Sequence, residues 1–182
     1  FDNIGNGYGN EMQMKILNPD GTLLGGTSIY RYYDIELGDL TLSATGVYTI
    51  IVDGEESDTG EYALYLSSRK TASDPLVYGV KTDGAIDFIG AETAYTFNGQ
   101  AGDEITLYFD NIGNGYGNEM QVKILNPDGT LLGGRSSYTR YDIELGDLTL
   151  PATGTYTIII DGKENDTVEY AFYLAPTLPE GP

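Results

Sequence analysis

The chain has 182 residues and a formal net charge of −19, with nine Lys and Arg against 28 Asp and Glu. So negative a surface repels phosphate backbones and anionic membranes and draws cations, so nucleic acid is a poor partner. Cys, His and Trp are all absent, which excludes disulfides, the usual zinc ligands, and Ser-His-Asp and Cys-His catalysis.

The first 11 residues, Phe1-Asp2-Asn3-Ile4-Gly5-Asn6-Gly7-Tyr8-Gly9-Asn10-Glu11, form an Asn/Gly-rich loop at the end of an extended run. Met12, Met14 and Ile16 then alternate as one face of a strand. Asn18-Pro19-Asp20-Gly21 is a strong turn, because proline presets φ and glycine accepts φ > 0. Further β runs lead to Glu61-Tyr62-Ala63-Leu64-Tyr65-Leu66. At Phe109 the whole sequence returns, offset by 108, and 54 of the 66 pairs from Phe1/Phe109 to Leu66/Leu174 are identical. A repeat this long suits one domain rather than a solenoid unit.

The complete unit is 67–174. Its predicted strands are Leu76 to Val80, Ala85 to Ile89, Thr93 to Phe97 and Glu104 to Phe109. Next come the run with Met120, Val122 and Ile124, Thr130 to Leu132, and the alternating Tyr141, Ile143 and Leu145. Thr155 to Ile160 and Val168 to Leu174 close the unit. No stretch carries a helical period, and no apolar run approaches the length of about 20 residues that spans a membrane. Eight or nine short antiparallel strands imply an all-β fold of tandem two-sheet sandwiches. Residues 1–66 are then an incomplete first sandwich lacking its early strands, and 175–182 a Pro-rich linker or tail. No signal peptide is visible, and Phe1 does not read as a natural start.

Asn126-Pro127-Asp128-Gly129-Thr130, Leu148-Thr149-Leu150-Pro151-Ala152-Thr153-Gly154-Thr155-Tyr156-Thr157-Ile158 and Glu169-Tyr170-Ala171-Phe172-Tyr173-Leu174 together resemble the bacterial pre-peptidase C-terminal domain family. The collagen-binding domains of clostridial collagenases belong to that family. The resemblance covers most of 85–174, and 1–66 in the first copy. It implies a jelly-roll-like antiparallel sandwich, secretion or cell-surface display, and an accessory role beside a larger secreted protein, with calcium bound in some members. Glu119 fills the acidic place that the family has ahead of the Pro-Asp-Gly turn.

The segment from Asp110 and Asn111 through Asn114 and Asn118 to Glu119 combines oxygen-bearing side chains with freely turning glycines, as a Ca²⁺ shell of six to eight oxygens needs. An EF-hand frame fails, because Ile112 falls third and Gln121 twelfth. An irregular site borrowing Asp142 or Glu144 is the alternative to a metal-free Asn/Gly hairpin. The first copy offers Asp2, Asn3, Asn6, Asn10, Glu11 and Asp34. A phosphate cradle lacks its helix and lysine. The stretch 161–166 reads as a solvated hairpin turn. Asp142 and Glu144, as a glycosidase pair, have nothing evident to raise either pKa and no deep cleft, so no enzyme is expected.

Tyr116, Tyr138, Tyr30 and Tyr32 are candidate sugar- or protein-binding aromatics. The blander reading puts Tyr33 and Tyr141 in the core and leaves the rest as edge decoration. The expected function is an extracellular structural or adhesive module, calcium-stabilised and assembling into arrays or fibres by strand complementation. The alternative is a carbohydrate- or collagen-binding accessory domain of a secreted hydrolase. The expected partners are neighbouring repeats or further copies completing 1–66, and an extracellular polysaccharide or matrix protein. Residues 1–66 are expected to be completed by strands from outside themselves, supplied upstream or by another molecule.

Overall fold

The computed structural model describes residues 2–3, 11–30, 37–38, 40–54, 60–111, 119–138, 141–162 and 167–176. All the regular structure in them is β, and no helix among the described residues is long and apolar enough to cross a membrane. The chain divides into two compact units, Phe1–Tyr65 and Leu66–Pro182.

In the first unit, β1 (Asp2–Asn3) precedes β2 (Glu11–Leu17), β3 (Leu23–Tyr30), β4 (Thr49–Gly54) and β5 (Tyr62–Ala63). β2 lies between β3 and β4 in a three-stranded antiparallel sheet, and β1 pairs with β5. Met12 and Met14 are buried, packed against Leu37, Ile50 and Val52.

The second unit holds β6 (Lys70–Thr71), β7 (Thr82–Ile86), β8 (Glu92–Gly99), β9 (Glu104–Asn111), β10 (Glu119–Leu125), β11 (Leu131–Tyr138), β12 (Ile143–Thr149), β13 (Gly154–Gly162) and β14 (Val168–Pro176). One sheet runs β11-β10-β13-β8-β6 and the other β12-β9-β14-β7, antiparallel except for the β6–β8 pair. Alternation decides the facing. Phe97, Val122, Ile124, Tyr156 and Ile158 from the first sheet meet Leu107, Phe109, Ile143, Tyr170 and Phe172 from the second in one buried core. From β7 to β14, each connection except the β10–β11 hairpin crosses between the sheets. That connectivity is a jelly roll.

Two turns explain the sequence motifs. Gly129 sits at φ 84°, and Asp128 Oδ1 accepts from Thr130 N (3.0 Å) and Oγ1 (2.6 Å). Those bonds hold the Asp128 carboxyl below its ordinary pKa. In the Ala-Thr-Gly-x-Tyr motif, the Tyr156 hydroxyl donates to Ala152 O (2.6 Å) and accepts from Ala152 N (3.2 Å), clipping the β12–β13 turn. Tyr48 does the same with Ala44 in the first unit. The motifs also meet, since a Cβ on Gly154 would stand 2.8 Å from the Pro127 ring.

Two predicted strands differ. Leu76–Val80 is not a strand: Leu76 N donates to Thr96 O of β8 (2.7 Å), the chain then turns at Gly79 (φ 75°), and Gly79 N donates to Leu174 O of β14 in the other sheet (2.8 Å). The segment predicted over Ala85 to Ile89 is instead Thr82–Ile86. Its chain turns before Gly90 (φ 72°), and Phe88 is exposed. Tyr141 is also exposed rather than core: it lies in the turn ahead of β12, its N–H bonded to Tyr138 O.

Candidate functional site

Register gathers four crossovers at one end of the second unit. Asn111 at the end of β9 lies opposite Tyr170 near the start of β14, and Ile86 at the end of β7 opposite Val168. In the other sheet, Gly162 at the end of β13 lies opposite Met120, and Asp161 opposite Glu92. The end therefore collects Asp87, Asp110, Glu119, Asp142 and the buried Asp161.

The calcium candidates divide there. Asp110 alternates with the buried Phe109 and so belongs to the outer face of the β9 sheet. Asp142 precedes Ile143, the register partner of Phe109, and comes to the same row as Asp110. Glu119 precedes the buried Met120 in β10 and belongs to the outer face of the opposite sheet, across from Tyr138. The feet of the loop thus diverge, and among the described residues no three acidic side chains form a metal cluster. Asn114 and Asn118 lie outside the described residues, as do Asn6, Asn10 and Asp34 in the first copy. Of Asp2, Asn3 and Asn111 only the strand positions are described; Glu11 pairs in register with Tyr30, as Glu119 does with Tyr138.

Among the aromatic candidates, Tyr138 is exposed at the end of edge strand β11, Tyr30 is described only by its place in β3, and Tyr116 and Tyr32 lie outside the described residues. The structure adds an aromatic pair that the sequence reading missed. Tyr108 on β9 and Tyr173 on β14 are direct register partners on the outer face of the β12-β9-β14-β7 sheet, 47% and 40% exposed. Their neighbours in the row are Glu144, opposite Tyr108, and Lys81, which precedes Thr82, the partner of Phe172. Lys81 Nζ bonds Asp83 Oδ1 at 2.7 Å, and that bond raises the ammonium pKa above its ordinary value. Between the buried Thr106 and Ala171 rows, the two rings stand on a strand-supported face beside Glu144 and Lys81. The signal was present in the alternation: Tyr108 precedes Phe109 and Tyr173 follows Phe172, so each inward ring forces its neighbour outward.

No family model and no curated protein matches the sequence. Among solved structures, the chain is similar to the periplasmic inhibitor of g-type lysozyme from Aeromonas hydrophila, at 14% identity and a TM-score of 0.44 over 60% of this chain and 100% of that one. It is similar to the pre-peptidase C-terminal domain of a Bacillus anthracis collagenase, at 14% identity and a TM-score of 0.44 over 62% of this chain and 99% of that one. A CBM4 structure matches at 16% identity and a TM-score of 0.39, over 55% of this chain and 81% of that one.

Proposed function

We propose that the chain is an extracellular, non-catalytic binding module of the pre-peptidase C-terminal type, which holds a polysaccharide or matrix protein against the Tyr108–Tyr173 face. The observation that carries this reading is the cross-strand tyrosine pair, half-exposed on a rigid sheet and flanked by Glu144 and Asp83. Rings held by a strand lose little entropy on binding, and bordering carboxylates accept hydrogen bonds from hydroxyl groups. The test is co-sedimentation with insoluble polysaccharides and with fibrillar collagen. The wild type pellets with one of them; the Tyr108→Ala, Tyr173→Ala double variant stays in the supernatant with an unchanged melting temperature. Equal pelleting of the two proteins would overturn the proposal.

Calcium remains part of this reading as a stabiliser of the crossover end, held through Asp110 and Asp142, which share a row of the β12–β9 pair. Bound ion would add roughly 2.7 kcal/mol at a hundredfold excess over Kd. An identical melting temperature with Ca²⁺ and with chelator would remove it. A second reading, a structural array built by strand complementation, is favoured by the side chains that the first unit leaves exposed.

A further inference from the structure

Two adjacent rows of the β12-β9-β14-β7 sheet belong to its outer face. One runs Glu144, Tyr108, Tyr173 and Lys81. The next runs Asp142, Asp110, Ala171 and Asp83, and Asp110 and Asp83 are both register partners of Ala171. All of these residues except Ala171 are exposed. The rows therefore set four carboxylates beside two tyrosine rings, against the single ammonium of Lys81. Arg135 comes to the rim, where its Nη1 donates to the backbone Glu144 O (3.4 Å).

Lys81 shows what this arrangement attracts. Its Nζ lies 2.7 Å from Asp83 Oδ1, and its pKa is raised first by Asp83 and then by Tyr173 and Asp110. One cation, supplied by the chain itself, thus already shares the field of a ring and of both carboxylates that flank Ala171. Ala171 is fully buried and adds only a methyl to the row between them.

We infer that the Tyr108–Tyr173 face takes a basic protein segment, whose lysine or arginine side chains lie on the two rings and against Asp110 and Glu144. This rests on the binding role proposed for that face and chooses between its two ligand classes. A ring face and a carboxylate both present negative potential, so a cation lying against both gains from each. A neutral sugar gains only stacking and hydroxyl contacts. An anionic one is repelled by the four carboxylates and by the net charge of −19. The same net charge draws a basic partner from a distance and speeds its encounter. The layout agrees. Among the described residues no three acidic side chains form a metal cluster, so the charge is spread along the sheet. Alternate residues of an extended segment project to one side about 7 Å apart, the interval that also separates Tyr108 from Asp110 along β9.

The test follows the fluorescence anisotropy of a labelled peptide of alternating lysine and glycine, titrated with the full chain. Chelator is present, so that calcium does not compete for Asp110. Saturable binding is expected, and a peptide of alternating glutamate and glycine should not bind. Affinity should fall about tenfold in the Asp110→Asn, Glu144→Gln variant, and as far in Tyr108→Ala, Tyr173→Ala, at unchanged melting temperatures. The Asp74→Asn, Asp103→Asn variant loses the same charge from exposed positions off this face, and should bind as the wild type does. Equal losses in the two charge variants would overturn the inference, because net charge alone would then explain the binding. So would an unchanged affinity in the tyrosine variant, or no binding by the wild type. Failure of the broader binding role reads differently. Pelleting with neutral cellulose that needs Tyr108 and Tyr173 but not Asp110 and Glu144 overturns the basic partner and leaves that role standing. Pelleting with cellulose or collagen that needs neither tyrosine overturns both.

Discussion

At the scale of single residues, the Tyr156 hydroxyl serves a turn rather than a site. It satisfies both the N–H and the C=O of Ala152, which would otherwise compete for water where the chain turns from one sheet into the other. Tyr156→Phe should cost about 1–2 kcal/mol, because two backbone groups lose their partner while the ring still packs on Phe97. Urea unfolding of the two proteins measures it, and an unchanged midpoint would show that water replaces the hydroxyl. The other buried phenol pair behaves differently. Tyr95 and Tyr170 share a hydrogen bond of 3.1 Å within the core, and burial, reinforced by that bond, pushes the Tyr170 pKa far above its ordinary 10.0. The unfolded chain releases this proton near pH 10.0 while the folded chain keeps it. Stability is therefore intact below that pH and falls as pH rises beyond it. In Tyr170→Phe the melting temperature should decline less steeply above pH 10.0 than in the wild type.

At the scale of elements, close approach decides which residues the strands tolerate. Gly84 in β7 lies opposite Tyr170 in β14, and the ring rests on its backbone; a Cβ there would stand 2.5 Å from the ring carbons. Gly84→Ala should destabilise the second unit by about 1–3 kcal/mol, because neither the strand nor the buried ring has room to give. Thermal unfolding checks this, and a neutral result would mean that β7 shifts outward on its edge. Strand alternation was largely legible in the sequence, since Ile105, Leu107 and Phe109, or Met120, Val122 and Ile124, read the same in one dimension as in three. The segment from Lys70 to Val80 was not legible in this way. It pairs along β8 for two residues as β6 and then makes isolated hydrogen bonds, from Ala72 and Leu76 to β8 and from Gly79 to Leu174 of β14, a relation that depends on partners 20 or more residues away. The candidate aromatics were sought in loops, where Tyr138 and Tyr116 stand near Gly and Arg. The Tyr108–Tyr173 pair needs the register of β9 with β14, which no single strand displays.

At the scale of the whole chain, near-identical sequence in two settings isolates what neighbouring strands contribute. Local propensity is almost the same in β4 and in the matching part of β13, as are the turn motifs before each, yet among the described residues only β13 has a partner on both edges. Amides of Thr49–Gly54 should consequently exchange with solvent at least tenfold faster than those of residues 157–162, since local opening of β4 exposes fewer buried contacts. Mass-resolved exchange on the intact protein separates the two peptides. Equal protection would mean that the second edge of β4 is already covered in solution.

The place of β14 in the jelly roll bears on how the protein can be made. It is the last described strand in sequence and lies inside its sheet, flanked by β9 and β7, whose register partners are synthesised about 60 to 90 residues earlier. Pairings of such long sequence separation form slowly. A chain emerging N-terminus first, from a ribosome or through a secretion pore, therefore holds β7 and β9 apart until β14 arrives.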